Sequence, residues 1–134
     1  MSRRSRAREV ALQVLYQDDL NPVEDPGPAD AFLARRLRFP ELIEFGRSLV
    51  AGVRRYRSEL DGLLEATAEN WSLSRMAATD RNVLRLGAFE ILHFDTPDRV
   101  AINEAVELAK RYGSRQSAQF VNGILDRLLH KSKG

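Results

Sequence analysis

Residues 100–113 read Val-Ala-Ile-Asn-Glu-Ala-Val-Glu-Leu-Ala-Lys-Arg-Tyr-Gly, and their spacing decides the fold class. Ile102, Ala105, Val106 and Ala109 recur three and four residues apart, the period of a helix with one buried face. Glu104, Glu107, Lys110 and Arg111 fall off that face, and Glu107 and Arg111, four apart, are expected to pair on the outer face. Gly113 is a stop just past the last turn.

The same period extends outward in both directions. A last helix is predicted from about Arg115 to His130, with Val121, Ile124, Leu125 and Leu128 inward. Upstream, Thr79 suits the N-cap of a helix to about Phe94 that buries Val83, Leu84, Ala88, Ile91 and Leu92, and Pro97 prevents its continuation. Pro40 fits the first turn of a helix whose stripe is Leu42, Leu49, Val50 and Val53. Gly46 and Gly52 mark close packing along it. Ser58-Glu59-Leu60-Asp61 resembles a capping box and predicts a restart carrying Leu60, Leu63 and Leu64, ending near Trp71. A first helix from about Arg3 to Asp19 buries Ala7, Val10, Ala11, Val14 and Leu15. Asn21 to Pro28 holds three prolines and a glycine and reads as an exposed loop, after which Asp30 can cap a short helix with Phe32, Leu33 and Leu37. Six or seven amphipathic helices make an all-α bundle, a fold class that hosts many functions.

Composition narrows those functions. The 134 residues are 43% hydrophobic, enough to bury one core. Cysteine is absent, so disulfides and thiolate metal sites are excluded. No apolar segment of secretory type follows the charged N-terminus, and no run of membrane-spanning length occurs, which makes a cytoplasmic protein the expectation. The net charge of +2 conceals a pattern: residues 1–17 carry +3, residues 18–30 carry −5 and residues 31–57 carry +5. Arginine supplies 18 of the 21 basic residues, and arginine forks onto phosphate and stacks on bases better than lysine does.

Catalysis has little to stand on. His93 and His130 are far apart in sequence, and Glu104 and Glu107 read as an ordinary solvated helix side. No metal-binding or phosphate-binding motif is present, so no enzyme, metal or cofactor is expected. Binding has more. Arg3, Arg4, Arg6 and Arg8 put four guanidiniums into six residues, at a helix start where the macrodipole disfavours cations. They read as a phosphate-contacting patch or as a solvated, frayed terminus. Residues 110–123, from Lys110 through Tyr112, Gln116, Gln119 and Phe120 to Gly123, gather basic, aromatic and amide side chains at an inter-helix corner. Such a corner can stack and hydrogen-bond the bases of a single strand, or Tyr112 and Phe120 can be core edges and Asn122 a buried helix-end partner. Arg35, Arg36, Arg38, Arg54, Arg55 and Arg57 read as solvated faces paired with Glu41, Glu44 and Glu59.

Several blocks together resemble the NusB family of transcription antitermination proteins. They are Arg6-Ala7-Arg8-Glu9 with residues 11–16 (Ala-Leu-Gln-Val-Leu-Tyr), Leu49-Val50-Ala51-Gly52-Val53, residues 80–85 (Asp-Arg-Asn-Val-Leu-Arg), residues 100–110, and residues 120–126 (Phe-Val-Asn-Gly-Ile-Leu-Asp). They occur in family order over residues 6–126. The resemblance implies two packed helical sub-bundles, about 1–72 and 73–134. It implies boxA-type single-stranded RNA as ligand, bound with the ribosomal protein NusE, and a place among other Nus factors on RNA polymerase. By position it implies RNA contacts from Arg3, Arg4, Arg6, Arg8, Arg85, Tyr112, Gln116, Gln119 and Phe120. It implies NusE contacts from Tyr16, Ser74, Asp80 and Arg81. Gln119 and Ser74 depart from the family's common lysine and acidic residue there. Alternatives are a NusB-like domain of the kind attached to ribosomal RNA methyltransferases, whose catalytic domain these residues do not contain, and a helical adaptor or homodimer that binds protein only.

Overall fold

The computed structural model describes residues 2–22 and 25–133. Among the described residues there are six α-helices, one short 3-10 turn and no strand: α1 (Arg3–Leu20), α2 (Gly27–Leu37), α3 (Pro40–Ala68), the turn Leu73–Arg75, α4 (Ala78–His93), α5 (Asp98–Tyr112) and α6 (Ser117–Lys133). Val23 and Glu24 of the predicted loop lie outside the described residues; Asn21, Pro22 and 25–28 are exposed as expected.

The predicted stripes are the buried ones, except that Leu63 is exposed and Phe32, Leu92 and Val106 are only partly buried. Leu33, Leu49, Leu84, Ile102, Ile124 and Leu125 are among the largest fully buried side chains, and the buried residues of all six helices join one core. α4 lies at the centre of that core and packs against α1, α3, α5 and α6. Its burial accordingly runs almost all round, from Asn82 to Ile91. No helix among the described residues is long and apolar enough to cross a membrane.

Four local expectations are corrected. Ser58-Glu59-Leu60-Asp61 does not restart a helix: α3 runs unbroken for 29 residues, because a capping box acts only where amide donors lack an intrahelical partner. Thr79 and Asp30 sit inside first turns rather than at N-caps. Ala77 and Pro26 hold those places without a capping side chain, and Asp30 faces Arg47 at 3.5 Å. Arg111 leaves Glu107, which takes Lys110 at 3.3 Å instead. Two arginines of α3 find their acids in α1: Arg54 meets Asp18 at 2.7 Å and Arg57 meets Asp19 at 3.2 Å. Glu41 instead faces Arg3 at 3.9 Å, and Glu59 bonds His93. Arg36 and Arg55 lie over Phe32 and Tyr56.

Two glycines of α3, Gly46 and Gly52, are packing devices, whereas Gly62 faces open space. A Cβ on Gly52 would clash with the Phe89 ring of α4, 2.1 Å from its Cζ, and one on Gly46 would press Leu33 and Leu37 of α2 at 3.1 Å. These contacts let α2 and α4 approach the α3 backbone closely.

Candidate nucleic-acid interface

Helical geometry divides the four arginines at the start of α1. At about 100° per residue, Arg4 and Arg8 lie within about 40° of one another, and Arg6 lies about 160° or more from both. Arg4 stacks over Phe45 at 4.3 Å from the ring centroid, and Arg3 over Phe39 at 4.4 Å. Both remain exposed. Arg8 points into the core, where it is 3% exposed and forks onto Glu90 with two bonds of 2.8 Å. Arg6 is turned towards the C-terminal end of α5.

Glu9 explains that turn. Its buried carboxylate accepts from Arg6 Nη1 at 2.6 Å and from Arg111 Nη1 at 3.0 Å, so one anion holds a guanidinium of α1 beside one of α5. Burial alone would raise the Glu9 carboxyl. The neighbouring Tyr112 hydroxyl and the two guanidiniums outweigh it and hold the pKa below the ordinary value. The same contact works in reverse on Tyr112: burial and the Glu9 carboxylate raise its phenol, which keeps it neutral and a donor at physiological pH. The Tyr112 ring is 44% exposed. Ser5 Oγ adds a second tie between the helices, donating to Glu104 at 2.5 Å.

The corner after Tyr112 is tightly closed. Gly113 donates to the Ala109 carbonyl at 2.9 Å, and the buried Ser117 hydroxyl accepts from the Ser114 amide at 2.8 Å. Gln116 and Gln119 are exposed around the first turn of α6. Phe120 packs partly on the core and meets Trp71 edge-on, 5.6 Å between centroids at 74°. Asn122 is exposed rather than a buried helix-end partner.

Tyr16 lies one groove away. With Leu12, Gln13, Thr79 and Tyr112 it lines a shallow cavity of about 260 Å³ between α1, α4 and the end of α5. Ser74 and Arg81 line a separate, charged cleft with Asp19, Arg57, Asp61 and Arg85. Arg81 is largely committed within the fold: it donates to Asp19 at 2.7 Å and to the Leu73 and Met76 carbonyls at 2.8 and 3.1 Å. Arg85 is buried and forks onto Asp61 at 2.7 and 3.0 Å, with Asp19 at 3.6 Å. Burial of Asp19 is outweighed by the Arg81 and Asn82 donors and by Arg85, so its carboxyl also stays below the ordinary value. Asp80 is half-buried, and its Oδ1 is enclosed with no hydrogen-bond partner among the described residues.

No cluster of metal-ligating side chains occurs among the described residues. His93 lies flat on Tyr56 at 3.9 Å and bonds Glu59 at 2.9 Å, and His130 bonds the Asp126 carbonyl at 2.8 Å. Both have structural partners.

The sequence match covers most of the same surface, from residue 5 onward. A family model described as "NusB family" matches residues 5–130. The chain belongs to the NusB family. A NusB transcription antitermination protein of Anaeromyxobacter dehalogenans (strain 2CP-1) is 49% identical over 131 residues, covering 95% of this chain and 90% of that protein. Thermotoga NusB, solved as "T. maritima NusB", superimposes with a TM-score of 0.84 at 38% identity, covering 98% of this chain and 92% of that one. A chain in a crystal structure of antitermination factors NusB and NusE with dsRNA gives 0.86 at 28% identity, covering 98% of both chains. Within the NusB frame, two residues of the corner escape sequence reasoning. Glu9 is an acid in a cationic patch, readable only as an i, i+3 partner of Arg6. Trp71 comes from the connection after α3, and no local pattern links it to Phe120.

Proposed function

We propose that this NusB-family chain is a transcription antitermination factor that binds boxA-type single-stranded RNA together with NusE. The pair joins an RNA polymerase complex with other Nus factors and keeps transcription of ribosomal RNA operons processive. The observation that carries the reading is the Arg6–Glu9–Arg111 bridge beside Tyr112. It brings Arg6, from the arginine-rich start of the chain, to the aromatic corner, while Arg3 and Arg4 lie over Phe39 and Phe45. The antitermination name of the relatives and the NusB–NusE–RNA assembly of a structural neighbour support the same conclusion.

In this reading Arg3, Arg4, Arg6 and Arg111 meet phosphates, Tyr112 and Phe120 stack on bases, and Gln116 and Gln119 hydrogen-bond base edges. Arg8 and Arg85 are withdrawn as direct contacts, because their buried guanidiniums are occupied by Glu90 and by Asp61 and Asp19. Their part is to fix α1 and α4. NusE meets Tyr16, Ser74 and Asp80, with Arg81 positioning the cleft. The reading takes about 1–72 and 73–134 as two sub-bundles sharing one core; the packing of α2 on α1 and α3, and of α5 and α6 on α4 and on each other, supports it, and α4 also packs on α1 and α3. The chain carries no catalytic step or cofactor, and it works in the cytoplasm where transcripts form.

Titration of labelled boxA RNA, a scrambled strand and a duplex, each with and without NusE across salt, tests the proposal. The boxA strand should bind more tightly than the other two, and more tightly still with NusE, by reciprocal linkage. Log affinity should fall against log salt by roughly 0.7 per phosphate contact. Equal affinity for all three RNAs would refute single-strand recognition. A dimer on sizing chromatography that ignores every RNA would favour the protein-only adaptor.

A further inference from the structure

We propose that Trp71 is a base-stacking residue, seating one unpaired nucleobase of the RNA beyond Phe120. The inference rests on the RNA-binding reading above and extends its strand path across the α3–α4 connection.

Trp71 is the one tryptophan of the chain, and it is 55% exposed although its body is the largest apolar surface a side chain can offer. Trp71 and Phe120 form a T-shaped pair, which braces the indole while more than half of its surface stays exposed. Phe120 is itself braced on the core, so the pair is a rigid step rather than two loose rings. The chain reaches Trp71 through Glu69, whose φ of 54° is unusual for a residue with a side chain. Backbone held in such a conformation is concentrated at ligand-contacting segments.

The surroundings suit a base better than a phosphate. A concavity of about 780 Å³ opens beside the indole, lined by Glu65, Glu69, Asn70, Ser72, Ser74 and Arg75. Asn70 and Ser72 offer donors and acceptors to a base edge. The Glu65 carboxylate accepts from the Leu73 amide at 3.1 Å, and with Glu69 it repels phosphate. The ribose-phosphate chain therefore keeps to the side of Arg75, the cation of that lining, and the base turns in towards the indole. Aromatic faces accept any base, so this position adds affinity more than sequence preference.

A single tryptophan makes the test direct. Labelled boxA RNA is titrated by anisotropy while tryptophan emission is followed in the same samples, with NusE present and absent. The W71F protein, measured in parallel, subtracts any tryptophan emission of NusE. The proposal expects the emission to be quenched, and shielded from acrylamide, in step with binding. W71A should bind roughly 5- to 150-fold more weakly, and W71F should recover most of that loss. Binding with unchanged emission, or W71A within twofold of the parent, overturns the role of Trp71 and leaves the RNA reading standing. Absence of binding by anisotropy in every sample overturns the RNA reading itself. If W71A fails to melt cooperatively, the parent quench and the W71F affinity decide alone.

Discussion

Replacing Arg8 by alanine separates a structural arginine from its RNA-facing neighbours. Arg8 donates Nε and Nη2 to the two Glu90 oxygens at 2.8 Å each, and its Nη1 lies 3.3 Å from Glu104. Glu90 is 1% exposed, and beyond Arg8 it accepts from Thr96 Oγ1 at 2.7 Å. Truncation strands a buried carboxylate with one hydroxyl to compensate it among the described residues. Leaving such a charge unpaired costs about 3–5 kcal/mol. That is a large share of the roughly 5–15 kcal/mol that holds a domain together. For a chain of this size each kcal/mol moves Tm by about 3–5 °C, so the expected fall is roughly 10–20 °C. Circular dichroism melting measures it, and RNA titration in the cold, where the variant stays folded, measures the rest. The salt slope should match the parent, because no phosphate contact is lost. Arg8→Met with Glu90→Leu, which removes both charges and keeps bulk, should recover most of the stability. A fall in Tm below about 3 °C, with a slope flattened by about 0.7, would refute the argument and return Arg8 to the RNA surface.

Three further outcomes are expected. Gly52→Ala should lower stability by about 1–3 kcal/mol in chemical denaturation, because its methyl meets the Phe89 ring, and Phe89→Leu in the same chain should relieve part of that loss. Glu9 and Asp19 are held below ordinary values of 4.5 and 3.8, so their stabilisation is complete above those values and is lost as pH falls through the lower folded ones. Melting across acid pH should show Tm dropping below about 4.5, and Asp19→Asn should lower Tm at neutral pH while shrinking that drop; parallel curves for the two proteins would deny Asp19 a share. Tyr112→Phe should keep RNA affinity within a few-fold and Tyr112→Ala should not, since stacking needs the ring rather than the hydroxyl; NMR titration of Glu9 in Tyr112→Phe should find its carboxyl raised towards the ordinary value.

The helices were legible because burial on one face imposes a period of about 3.6 on the chain, and that period survives in the positions of Ile102, Ala105 and Ala109. Their ends were less legible. Ser58 and Thr79 carry cap-like side chains, but whether an amide lacks a partner depends on where the helix begins, and α3 simply continued. Charge was least legible. Arg3, Arg4, Arg6 and Arg8 form one cluster in sequence and three environments in space: aromatic faces for Arg3 and Arg4, the Glu9 bridge for Arg6, and the core for Arg8.

The linear sequence determined that this protein is an all-α bundle with a NusB-like order of blocks, because periodicity and motif are local properties carried by neighbours along the chain. Only the tertiary structure decided which arginines remain available to a ligand. Pairing depends on distance through space, and acids more than 80 residues away in sequence, such as Glu90 for Arg8, take up guanidiniums that composition alone counts as free.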